Sequence, residues 1–112
     1  MHSSYVNDMA RAGRLGKQRV NGRRCRTLVQ NHIPFRSHGS LYGRKLGSKG
    51  YGVFSYGEHW PLHVWDGEQW HHNEDKYSVT TSKHFGQGNP LAPSIARDCA
   101  AMRKLVDRLD RE

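Results

Sequence analysis

At 112 residues, with 35% hydrophobic residues, the chain is long enough for one domain and too short for two, and it is lean in the apolar surface a core requires. The formal charge of +8 is split unevenly: residues 1–49 hold eleven Lys and Arg against the single acid Asp8, whereas residues 50–112 sum to −2. No run of 18 apolar residues exists and the first thirty residues lack an apolar stretch, so neither a membrane span nor a secretory signal is expected, and the expected location is the cytoplasm of the host cell.

Residues 1–26 read as a basic arm, because Gly13, Gly16 and Gly22 interrupt any helical pattern and few large apolar side chains are available to bury. The arm is expected to be a weak helix or to order only on a partner. Residues 27–112 then form the domain. Residues 27–33 suggest a short helix ending before Pro34, residues 35–42 an edge strand, and residues 43–50 a glycine-rich basic loop. Alternation marks residues 51–56 as a strand. The Asp66-Gly67 pair, flanked by strands at 62–65 and 68–72, suits a tight hairpin with Trp65 opposite Glu68 and His63 opposite Trp70. That register puts His63, Trp65, Trp70 and His72 on one face of the ribbon. The β-branched residues 76–82 predict a fourth strand. From Ser94 to Arg111, Ile95, Cys99, Met102, Leu105, Val106 and Leu109 recur at helical spacing, which predicts a long amphipathic helix capped by Ser94. The expected fold is therefore α+β: three or four antiparallel strands packed on one C-terminal helix, with a basic N-terminal arm.

Three groups of residues could carry chemistry. In residues 1–49 Arg outnumbers Lys eight to three, and a planar guanidinium suits bidentate contacts to phosphate or carboxylate. The histidines His59, His63, His71, His72 and His84 cluster near Glu58, Glu74 and Asp75, ligand types that zinc or manganese accepts, although no HExxH motif or Cys/His pairing frames them. With only Cys25 and Cys99, a disulfide framework and a four-thiolate zinc site are both excluded. Hydroxyl-rich residues 76–84 end in Lys83 and His84 but offer no acidic third member and no Gly-x-Ser-x-Gly elbow. Neither a catalytic residue, nor a metal ligand, nor a cofactor is assigned. Tyr56, Trp60 and Trp65, lying beside bases, would serve as stacking platforms or interface anchors if exposed.

The string Ser55-Tyr56-Gly57, Pro61, Trp70, Asn73, Lys76-Tyr77-Ser78 and Thr80-Thr81-Ser82-Lys83-His84 resembles a pattern in small proteins of phages and other mobile elements, and the likeness covers about residues 35–90. The resemblance implies a protein made in an infected or plasmid-bearing cell. Among such genes, small anti-defence proteins are common, including inhibitors of CRISPR effectors. Many of those are acidic mimics of DNA, which a +8 protein cannot be. It would instead occupy an acidic surface or engage the nucleic acid itself.

The expected function is thus a non-enzymatic binding protein that engages a host nucleoprotein or defence complex, or its DNA or RNA, as an inhibitor. Arg11, Arg14, Lys17, Arg19, Arg23, Arg24, Arg26, Arg44, Lys45 and Lys49 would supply the electrostatic attraction, and Trp60, Trp65 and Lys83 local contacts. Two alternatives belong to other classes. One is a small metal-dependent nuclease or hydrolase using His63, His72, His84 and Asp75; the other is a virion assembly component using the apolar helix face from Ile95 to Leu109 between subunits. Nothing in the sequence fixes the oligomeric state.

Overall fold

A computed structural model describes residues 19–20, 22–37, 40–75 and 79–112. In chain order the elements are β1 (Arg19–Val20), α1 (Gly22–Gln30), β2 (Phe35–Ser37), β3 (Leu41–Leu46), β4 (Gly50–Ser55), β5 (Pro61–Trp65), β6 (Trp70–Asn73), α2 (Val79–Gln87), β7 (Ser94–Arg97) and α3 (Cys99–Asp110). Among the described residues the strands form one mixed sheet in sequential order, β1 to β7. Strands β2 to β6 are an antiparallel meander. The two outer pairs, β1–β2 and β6–β7, are parallel. A parallel neighbour cannot be reached by a tight turn, so each outer pair has a helix in its connection: α1 between β1 and β2, and α2 between β6 and β7.

The α+β class and the C-terminal helix are as expected, but the sheet is wider and is covered on both faces. One core lies under α1 and α2, where Cys25, Leu28, Val29, Phe35, Tyr51 and Val53 meet. The other lies under α3, where Met102, Leu105, Val106 and Leu109 pack on Leu46, Phe54 and Val64. Every residue of β4 is buried.

Four local expectations need correction. Residues 43–50 are not a loop, because β3 runs through Gly43, Arg44 and Lys45 and only Gly47, with φ of 62°, and its two successors turn. Gly43 serves packing: a Cβ there would collide with the Tyr51 hydroxyl and the Phe35 ring. The 76–82 strand is instead the start of α2 at Val79, with 76–78 outside the described residues. Tertiary contacts override the β-branched preference, since His84 bonds Ser55 and Phe85 lies against His63. The C-terminal helix begins five residues late. Ser94–Arg97 is extended and pairs with β6, and Asp98, not Ser94, caps α3 by accepting from the Ala101 amide at 2.8 Å. Finally, the hairpin register is slipped by two, with Trp65 opposite Trp70 and His63 opposite His72. Asp66 enlarges the loop by accepting the amides of Glu68 and Gln69 at 2.8 and 2.7 Å. A two-residue slip preserves the faces, so the shared side of His63, Trp65, Trp70 and His72 stands.

Residues 22–26, expected to belong to the arm, are the start of α1, and Cys25 is fully buried. The arm expected over residues 1–26 otherwise lies mostly outside the described residues. Helix α1 stops in a Schellman arrangement: the Ile33 amide reaches the Leu28 carbonyl and the His32 amide reaches Val29, with His32 at φ of 55° in the position usually held by glycine. Replacing Gly43 with Ala should cost about 1–3 kcal/mol by overpacking, measured by urea unfolding. Combining it with Tyr51→Phe should give a total below the sum of the two single losses, because the colliding hydroxyl is gone.

Candidate functional site

Burial and hydrogen bonding separate the histidines that looked like a cluster. His63, 2% exposed, shares a 2.9 Å hydrogen bond from Nε2 to the Phe85 carbonyl. His84 is held by Ser55 through Nδ1 at 2.8 Å, and His72 by the Ser94 hydroxyl through Nδ1 at 2.6 Å. Asp75 accepts the Cys99 amide at 2.8 Å, at the start of α3. Each member of the supposed metal set is thus tied to a different partner. Among the described residues no three His, Cys, Asp or Glu side chains are placed to share a metal ion. A cleft of about 330 Å³ is lined by Leu62, His72, Asn73, Glu74, Asp75, Ser82 and Phe85, of which His72, Asn73 and Asp75 are already engaged, Asn73 by donating to the Pro61 carbonyl. Ser55, His84, Pro61 and Asn73 all belong to the string noted above, and here they join β4, β5, β6 and α2.

Burial also sets the protonation of this region. Desolvation, only partly offset by the Phe85 carbonyl, lowers the His63 pKa from 6.5 to about 4, and burial followed by the nearby Lys83 charge lowers that of His84.

The cations are in several different states. Arg11, Arg14 and Lys17 lie outside the described residues, Arg19 is in β1, and Arg23 is in α1. Arg26 fastens α1 to the end of α2, donating to the carbonyls of Asn89 at 2.9 Å and Gly86 at 3.0 Å. Arg44 is neutralised twice, by Glu58 on one side and by Asp110 of α3 at 2.8 Å on the other, and its guanidinium lies over the Phe54 ring. Lys49 pairs with Glu112 at 3.4 Å, while Arg24, Lys45 and Lys83 are exposed. Trp60 and Trp65 are half-buried against the first core, and Trp65 touches His32 and Trp70, so neither is an open platform.

Among the described residues the exposed aromatic is Tyr56, 47% exposed, with its ring 5.8 Å from that of His84. It follows β4 with φ of 64°, a left-handed conformation that is costly for a bulky residue, and its amide is anchored to the Ser40 carbonyl at 3.0 Å. Tyr56, Tyr42, Arg36 and Gly57, with Ser40 and Leu41, line a cleft of about 290 Å³ at the β2–β3 end of the sheet, where Tyr42 stacks on Phe54 and donates its hydroxyl to Glu58. Register pairs Arg36 with Tyr42 on one side and with Arg19 on the other. A ring beside a guanidinium is the arrangement that holds an unstacked base and its phosphate. Arg36 was not among the binding residues expected from sequence, yet its alternation with buried Phe35 and Ser37 places it outward.

Of the apolar row expected between subunits, Cys99 is buried and Met102, Leu105, Val106 and Leu109 pack on the sheet, whereas Ile95 lies on β7 and is exposed. Among the described residues no helix is long and apolar enough to cross a membrane.

Two outcomes follow from these placements. Unfolded His63 takes up its proton near pH 6.5 and folded His63 only near 4, so stability is full above 6.5 and should fall by about 3 kcal/mol as pH drops through that window. Urea midpoints measured from pH 7 to 4 should trace this loss, in which His32 and His84 share the same sign, and His63→Phe should flatten it. Arg44→Gln should lower stability by about 1–2 kcal/mol while leaving polyanion affinity within about twofold, because that charge is already paired.

Comparison with protein-family models, curated proteins and solved structures finds no match to this chain.

Proposed function

We propose that the chain is a non-enzymatic binding protein that engages nucleic acid, or a host complex that handles it, through its basic N-terminal half. Its use would be inhibition of a host defence complex, as the resemblance to phage and mobile-element proteins implies. The observation that carries this proposal is exposed Tyr56, which lines a cleft with Arg36 at the end of the sheet where Arg36 pairs with Arg19 and so adds a stacking surface beside the Arg-rich segment. Charge alone would attract any polyanion, and the exposed ring adds a preference for unpaired bases. The left-handed backbone at Tyr56 supports a binding role for that side chain, because glycine or asparagine would occupy the position at lower cost.

Fluorescence anisotropy with a labelled single-stranded oligonucleotide and the matching duplex tests the proposal. Affinity should fall steeply with salt, with a log–log slope of about −0.7 per phosphate contacted on the single strand. Tyr56→Gly should weaken single-strand binding by about 1–3 kcal/mol, or roughly 5- to 150-fold, while changing unfolding stability by less than about 1 kcal/mol. A salt slope near zero, or full affinity in Tyr56→Gly, would reject the nucleic-acid branch and leave an acidic protein surface as the partner.

A further inference from the structure

At the β6–β7 side of the sheet lies a second cleft, of about 410 Å³, between β7 and α3. Arg97 enters it from β7, one residue before the cap of α3. Lys104 and Arg108 enter it from α3, one helical turn apart and therefore on one side of the helix. Ala101 and Leu105 line it with apolar surface. The carboxylate lining the cleft is Asp66, and it is already occupied: it accepts from the amides of Glu68 and Gln69 and pairs with His71 Nε2 at 2.8 Å. Those bonds outweigh the effect of burial and keep Asp66 ionised below its usual range.

His71 connects this turn to the cleft. With Nε2–H donated to Asp66, its Nδ1 is an acceptor, and it faces Arg97 Nε at 3.4 Å. Asp66, His71 and Arg97 thus form a row that orients the guanidinium from its Nε side. Among the described residues neither Arg97 nor Lys104 has an ion pair, and Arg108 meets Glu112 only at 3.9 Å. Three cations lining a space with one carboxylate leave about two uncompensated positive charges. A planar guanidinium and an ammonium on different sides suit a tetrahedral dianion with several acceptor oxygens better than a flat carboxylate.

We infer that this cleft binds a phosphate group, held by Arg97, Lys104 and Arg108, with Ala101 and Leu105 against the organic part of the ester. The phosphate belongs either to a small phosphomonoester or to a nucleic-acid backbone. Only the second source rests on the function proposed above.

The test is an NMR titration of the full chain with inorganic phosphate at constant ionic strength, following the Arg97 Nε–H and the amides of residues 96–108, with chloride as the control. The expected result is saturable, phosphate-specific shifts that weaken at least tenfold in Lys104→Gln/Arg108→Gln, whose two side chains are exposed and whose fold is checked by circular dichroism. Arg97→Lys, which keeps the charge and loses the fork, should weaken binding severalfold. Shifts that match those with chloride, or that persist unchanged in the double variant, overturn the inference, as would saturation by an acidic peptide without any by phosphate. AMP and a single-stranded oligonucleotide then separate the sources. A tenfold loss for AMP alone in the double variant assigns a phosphomonoester, and a tenfold loss for the oligonucleotide assigns the backbone. If wild-type protein binds phosphate and no oligonucleotide, the cleft stands and the nucleic-acid function falls.

Discussion

Burial of β4 on both faces is the constraint from which the rest of the architecture follows. A strand with no solvent-facing side needs a helical layer above and below, and a chain this short can supply both only by using nearly every connection. The two crossover helices cover one face and α3 the other. Gly50 and Gly52 make the α3 side workable, since side chains there would press on Leu109, Leu46 and Phe54. Polar groups caught in these layers are satisfied locally: the Tyr51 hydroxyl donates to the Ile33 carbonyl at 2.7 Å, and Ser55 meets His84. Such bonds fix the helices in register on the sheet as much as the apolar contacts do.

What could be read from the sequence was whatever local periodicity encodes. The strand at Gly50–Ser55, the shared face of His63, Trp65, Trp70 and His72, and the apolar row from Cys99 to Leu109 each follow from residues within a few positions of one another. Two of the errors share one cause. Strand β7 and helix α2 exist because β6 has a parallel neighbour, and no window of sequence states that Trp70 will lie beside Ser94. Ser94–Arg97 therefore looked like the first turn of a helix whose spacing it happens to continue. Gly43 misled in a related way, because its lack of a side chain is required by Phe35 and Tyr51, both well separated from it in the chain.

The same limit applies to the site. Sequence identifies the cations but not which of them the fold consumes. Arg26 and Arg44 are structural fasteners, and their partners, Gly86, Asn89 and Asp110, lie at least sixty residues away. Conversely, Arg97, Lys104 and Arg108 lie in the half of the chain that sums to −2, where composition gives no reason to single them out. The break at Asp98 puts Arg97 on β7, so it lines the cleft from the sheet while Lys104 and Arg108 line it from α3.

Net charge is consequently a poor guide to where this protein is positive. Residues 50–112 sum to −2, yet much of their acidity has structural work. Glu58 and Asp110 neutralise Arg44, Asp66 closes the β5–β6 turn, and Asp75 and Asp98 bind amides at the start of α3. An acid spent on backbone amides keeps its formal charge but projects little of it, because the donors surround it. Bases on the outer side of α3 and at the end of β7 have fewer such partners, so a formally acidic half presents a cationic cleft. The cations of the second half are therefore gathered where its acids are not, with Arg97, Lys104 and Arg108 lining one cleft in a segment whose formal charge is negative.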